Sequence, residues 1–193
     1  MVTTLKESTI DLLRIAESNL LYSFKDIQPE EVCKQIAPEI NTIYWILGHC
    51  FSHFHMVLCQ TCQETQLLSD EAIHCYRYGT SKEEIARTES RMTFEELVDR
   101  YLEMSEISFS YLNTLDNDDF KKVIFPETEE TLVTSIQRLS LHFLGHVGQI
   151  VLIRRSLGNP GASFVGGAHP QTRKQMLDEW IAWWSESKSR FNV

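Results

Sequence analysis

The sequence predicts an all-α protein, a four-helix bundle with an additional C-terminal helix, and three observations carry that expectation. Apolar residues recur at helical spacing over four long windows. Capping residues, glycines and prolines stand where those windows begin and end. With 193 residues, 42% hydrophobic and 23% charged, and no internal repeat, the chain fits one domain over residues 1–193 built around one core.

The first window, residues 4–24, sets Leu5, Leu12, Leu13, Ile15, Ala16, Leu20 and Leu21 at helical spacing and must end before Pro29. A second helix is expected to begin at Pro38, because the missing N–H costs nothing in a first turn, and to run through residue 63. Residues 64–92 are less regular. Ser69-Asp70, Tyr78-Gly79-Thr80-Ser81 and the charged stretch 82–91 read as a connection with short helical pieces. Thr93 and Glu96 form a capping box that opens a third helix over 94–115. Its inward seam is expected to be Phe94, Val98, Tyr101, Ser105, Ser108, Leu112 and Leu115, where the two serines leave space beside the histidines or are covered by bulky neighbours.

Asp116-Asn117-Asp118-Asp119 stops the third helix, and residues 121–126 suit a brief extended segment. A fourth helix over 131–157 ends at Gly158-Asn159-Pro160-Gly161. Pro170 then opens a final helix through residue 190, with Leu177, Trp180, Ile181 and Trp184 on one face. Together with Trp183 that face suits packing on the bundle or a homodimer contact.

Several classes of function are disfavoured. A net charge of -9 repels phosphate backbones, and no basic cluster exceeds Lys121-Lys122 or Arg154-Arg155, so no nucleic-acid partner is expected. Gly48, Ser52 and three histidines interrupt the apolar run 43–58, so no membrane span is expected. Residues 1–14 carry Lys6, Glu7 and Asp11 in place of a signal peptide's apolar core. Five cysteines, an odd number, argue against a disulfide framework and for a reducing, cytoplasmic setting. Cys59 and Cys62 have redox-motif spacing without the βαβ context or second pair that would give it weight.

The chemistry is expected from histidines. In the fourth helix Leu132, Ile136, Leu139, Phe143, His146, Ile150, Ile153 and Leu157 alternate by four and three residues, an inward seam that contains His146. His142 lies one turn earlier and faces the same way. A buried imidazole needs partners for both nitrogens, and a divalent ion supplies one. Two ligands one turn apart leave most of a coordination sphere open, so a third must come from another helix. The second helix offers His49 and His53, themselves one turn apart.

Two stretches, residues 43–49 and His142-Phe143-Leu144-Gly145-His146-Val147-Gly148-Gln149-Ile150, make the chain resemble the DinB/YfiT-like family of metal-dependent enzymes. The resemblance implies a four-helix bundle with a three-histidine site for zinc or nickel, with His49, His142 and His146 as ligands and His53 an extra ligand or a neighbour. The family often carries an arginine where this chain has Val147. It also implies activation of water or of a low-molecular-weight thiol toward a small-molecule substrate, as a hydrolase or thiol S-transferase. The alternative is a noncatalytic bundle that binds a metal or small molecule. His53 and Glu64 are the candidates for a general base, and His55, His74 and His169 are expected on the surface.

Overall fold

Thr4 opens the first helix through a capping box: its hydroxyl accepts the Glu7 N–H at 3.2 Å while the Glu7 carboxylate accepts the Thr4 N–H at 2.8 Å. Helix α1 (Leu5–Ser23) follows, one residue inside the expected window at each end. The computed structural model describes residues 3–80, 84, 92–159 and 165–192. Pro29, expected only to stop α1, opens a short helix α2 (Pro29–Val32).

The second long helix, α3 (Ile43–Phe54), starts five residues after the expected Pro38. Thr42 is its cap, its hydroxyl accepting the Trp45 N–H at 3.2 Å. The Gln35 amide meanwhile donates to the carbonyls of Pro38 and Ile40 at 2.9 and 3.1 Å, holding that segment as a turn. Beyond Phe54 the helix continues as a π-helical segment, His55–Thr61. The irregular connection contains α4 (Asp70–Cys75); apart from Glu84, the charged stretch 82–91 lies outside the described residues.

Thr93 caps α5 (Phe94–Thr114) with the expected box. The extended segment is strand β1 (Val123–Phe125), paired antiparallel with β2 (Glu130–Thr131), which leads into α6 (Leu132–Ser156). Gly158, at φ 86°, relieves the left-handed turn after α6; Pro160 and Gly161 of the expected stop lie outside the described residues. Helix α7 (Pro170–Ser187) ends in a 3-10 turn, Lys188–Phe191.

Helices α1, α3 with its π extension, α5 and α6 make the four-helix bundle. Among the described helices, α1 packs most extensively on α6, while α3 faces α6 and the π segment faces α5. The C-terminal helix α7 lies against α1, and its tail returns to α5. Trp180 and Trp184 are buried there, Trp180 meeting the Phe24 ring edge-on at 5.5 Å and Trp184 meeting Phe94 at 6.1 Å. The tryptophan face is therefore internal packing. Ile181, expected on the same face, is 52% exposed, because it lies one residue, about 100° of helix rotation, past Trp180.

Ser105 and Ser108 do not open space beside the histidines. Ser105 and Tyr101 both donate to the buried Glu17 carboxylate of α1, the tyrosine at 3.0 Å, and the fully buried Ser108 lies 3.6 Å from Cys59 Sγ. The small side chains of α5 make room for polar groups of its neighbours. None of the five cysteines is in a disulfide, and no helix among the described residues is long and apolar enough to cross a membrane.

Candidate metal centre

Along α6 the buried residues include Leu132, Ile136, Leu139, Phe143, Val147, Ile150 and Ile153. Val147 thus takes the seam position expected for His146. The change is confined to this one position, since Ile150 and Ile153 are buried as expected; at about 100° per residue His146 and Val147 fall on opposite sides of the seam, and packing buries the apolar valine. His142 and His146 sit half-buried on the flank of that seam. Helix α3 presents His49, 8% exposed, and the half-buried His53.

The four rings form one group. The His49 centroid lies 5.0 Å from that of His142 and 5.2 Å from that of His146, and His142 and His146 are 4.5 Å apart. His53 lies 4.6 Å from His49 and 4.5 Å from His142. Two imidazoles on one ion, each nitrogen about 2.0 to 2.1 Å from it and at about 90 to 110° to one another, have centroids about 4.5 to 5.2 Å apart. The observed spacings fall in that range.

The donor atoms make two sets that each lie within 4.8 Å of one another: His49, His53 and His142, and Cys50, His142 and His146. Neither is the expected trio of His49, His142 and His146 in full. The first set brings in His53, and the second adds the fully buried Cys50, whose thiol burial holds well above its usual pKa.

The surroundings orient the rings. His49 Nδ1 donates to the Tyr76 carbonyl at 2.8 Å, which leaves Nε2 with its lone pair. Trp45, one turn earlier on α3, stacks on the same ring at 4.8 Å and 12°. Tyr76 caps α4 and packs so closely on α3 that a β-carbon at Gly48 would lie 2.2 Å from its ring. Its hydroxyl is 2.7 Å from that of Tyr44, which donates to the Met92 carbonyl. On α6, His146 Nδ1 donates to Gln149 Oε1 at 2.8 Å, again freeing Nε2. Partners of this kind fix tautomer and ring orientation in metal sites.

Within the group two nitrogens have no partner: His142 Nε2 and His53 Nδ1 are buried and unbonded. A buried polar atom without a partner costs about 1 to 3 kcal/mol. A divalent ion among these rings would satisfy both, so the residues present fit the metal that the fold implies.

Protonation is disfavoured throughout the group. Burial, then the neighbouring imidazoles and the Arg138 guanidinium, pull His142 down to about 3. Burial, His49, Arg138 and His146 pull His53 down to about 4. Burial also lowers His49 and His146, against the opposing effect of their hydrogen bonds to Tyr76 and Gln149. At neutral pH the group presents neutral imidazoles, the form that ligates.

A cleft of about 470 Å³ opens on His49 and His53, walled by Ser52, Met56, Ile73, Tyr76 and Arg77, a volume in the range of small-molecule sites. Across Met56 lies a second hollow of about 610 Å³, bordered by Arg138, which is held bidentately by Glu130 at 2.7 and 2.9 Å.

The remaining histidines divide. His74 and His169 are exposed as expected, His169 capping α7. His55 is fully buried, contrary to expectation: its Nε2 accepts the N–H groups of Leu67 and Leu68 at 3.0 and 3.2 Å and ties the chain beyond the π segment. Glu64 is exposed, at φ 51°, and does not line the cleft. Sequence reasoning missed Tyr76, Trp45 and Cys50. Gln149 stood inside the quoted motif, and its place one turn beyond His146 was the signal for its role.

An all-helical bundle with an interior histidine group defines the class of protein. The family model of the DinB superfamily matches residues 12–150, and the chain belongs to that superfamily. No curated protein and no solved structure gives a significant match.

Proposed function

We propose that this chain is a divalent-metal-dependent enzyme in which His49, His142 and His146 hold zinc or nickel, acting on a small-molecule substrate as a hydrolase or thiol S-transferase. The carrying observation is the buried, unbonded His142 Nε2 among neutral imidazoles drawn from two helices. Bound there, a divalent ion lowers the pKa of a coordinated water or thiol and yields a nucleophile at neutral pH. The chain's own residues do the rest. Tyr76 and Gln149 each hold a ring through Nδ1 and leave its Nε2 as the ligating nitrogen, and Trp45 restricts the rotation of His49. The cleft beside His49 and His53 gives a substrate its approach, with Arg77 as a cation on its wall.

Metal analysis of freshly purified protein tests this reading. Stoichiometric zinc or nickel is expected in the wild type, and in His142→Ala loss of the metal with the protein still cooperatively folded. A wild type free of metal would overturn the proposal. Metal loss that unfolds the protein would instead make the ion a structural one.

A further inference from the structure

His53 is the member of the histidine group for which no role has yet been given. Its ring contacts both His49 and His142, at 4.6 and 4.5 Å, as closely as His146 contacts His142. Its donor nitrogen lies within 4.8 Å of those of His49 and His142. Its Nδ1 is buried and bonded to nothing, whereas Nδ1 of His49 and of His146 each has a fixed acceptor. His55, whose Nδ1 is also buried and unbonded, is held through Nε2 by two backbone N–H groups and has no ring contact with the histidine group, whereas His53 is set against two of its members.

We infer that His53 is a fourth imidazole donor to the divalent ion, so that the centre is built from His49, His53, His142 and His146. This rests on the reading of the group as a metal centre. His53 and His146 stand at opposite ends, each in ring contact with both His49 and His142. An ion that holds four imidazoles and still binds a water or thiol must accept at least five ligands. The site therefore selects ions that expand beyond tetrahedral coordination, and His53, on the cleft wall, limits how many exchangeable positions face the substrate.

Cobalt(II) titration of the metal-free protein tests the assignment without any assay of activity. His53→Ala and His53→Phe, the latter filling the space, are each expected to bind cobalt about ten- to a hundredfold more weakly and to alter its visible ligand-field spectrum. In the cobalt-loaded wild type, proton NMR should show hyperfine-shifted, exchangeable N–H signals from four imidazoles, a count that stands even if a variant fails to fold. Unchanged cobalt affinity and spectrum in both variants, or signals from three imidazoles only, would overturn the fourth donor while leaving the metal centre intact. A wild type that takes up no cobalt would overturn both.

Discussion

A β-carbon at position 48 would sit 2.2 Å from the Tyr76 ring, and Tyr76 supplies the carbonyl that orients His49. Gly48→Ala is therefore expected to push Tyr76 off α3, costing about 1 to 3 kcal/mol of stability. It should also weaken metal binding about ten- to a hundredfold, as loss of an orienting partner does. Urea unfolding of the variant checks the first and calorimetric titration of metal the second, and wild-type affinity would show that Tyr76 does not orient the ring. Glu17 makes a second residue-level case. Burial raises its pKa, with the Ser105 and Tyr101 hydroxyls opposing. Its stabilising contribution is thus present at low pH and lost as pH rises through the folded-state value. Glu17→Gln keeps an oxygen acceptor for both hydroxyls and carries no charge, so it should be more stable than the wild type in urea at pH 8. An equal or lower midpoint would mean that the carboxylate is stabilised as the anion.

At the scale of elements, helix ends were legible where the cap is local. Thr93 caps as its spacing to Glu96 predicts, Thr4 and Thr131 prove to be the caps at the first residue of their expected windows, and α6 stops at the glycine that ends its apolar pattern. Thr131→Ala is expected to cost about 1 kcal/mol, because its hydroxyl no longer accepts the Thr134 N–H. For a chain of this length that lowers Tm by about 2 to 4 °C, readable by calorimetry; an unchanged Tm would show that Thr134 alone sustains the cap. The start of α3 was not legible. Pro38 is a good first-turn residue, but the Gln35 side chain holds that segment in a turn and Thr42 offers the stronger cap. The π segment and the slip from His146 to Val147 on the α6 seam depend on how helices pack, and a periodicity rule has no access to that.

For the molecule as a whole, the lowered histidine pKa values set a pH dependence. In the unfolded chain imidazoles protonate near pH 6.5, whereas His53 and His142 resist until about 4 and about 3. The unfolded state then binds more protons below pH 6.5, so metal-free protein should lose stability as pH falls from 7 toward 4. His142→Ala should show a shallower slope. Urea midpoints at pH 7 and pH 5 measure it, and equal midpoints for the wild type would mean that the rings are not desolvated. Added metal should raise the midpoint at pH 7, and by less at pH 5, where protons compete for the same nitrogens.

The number of long helices, the approximate ends of α1, α5 and α6, and the likeness of two histidine stretches to one family could all be read from the linear sequence. They follow from 3.6-residue periodicity, local caps and motifs whose partners lie within a turn or two. Which rings meet could not be read that way. His49 and His53 share a helix face and are equivalent by spacing, and only the packing of α3 on α6 sets both against His142. The Tyr76 carbonyl that orients His49 is a backbone atom of a remote segment and leaves no mark in residue identity. Contacts between distant segments are chosen by the burial of the whole core, and that choice belongs to the tertiary structure.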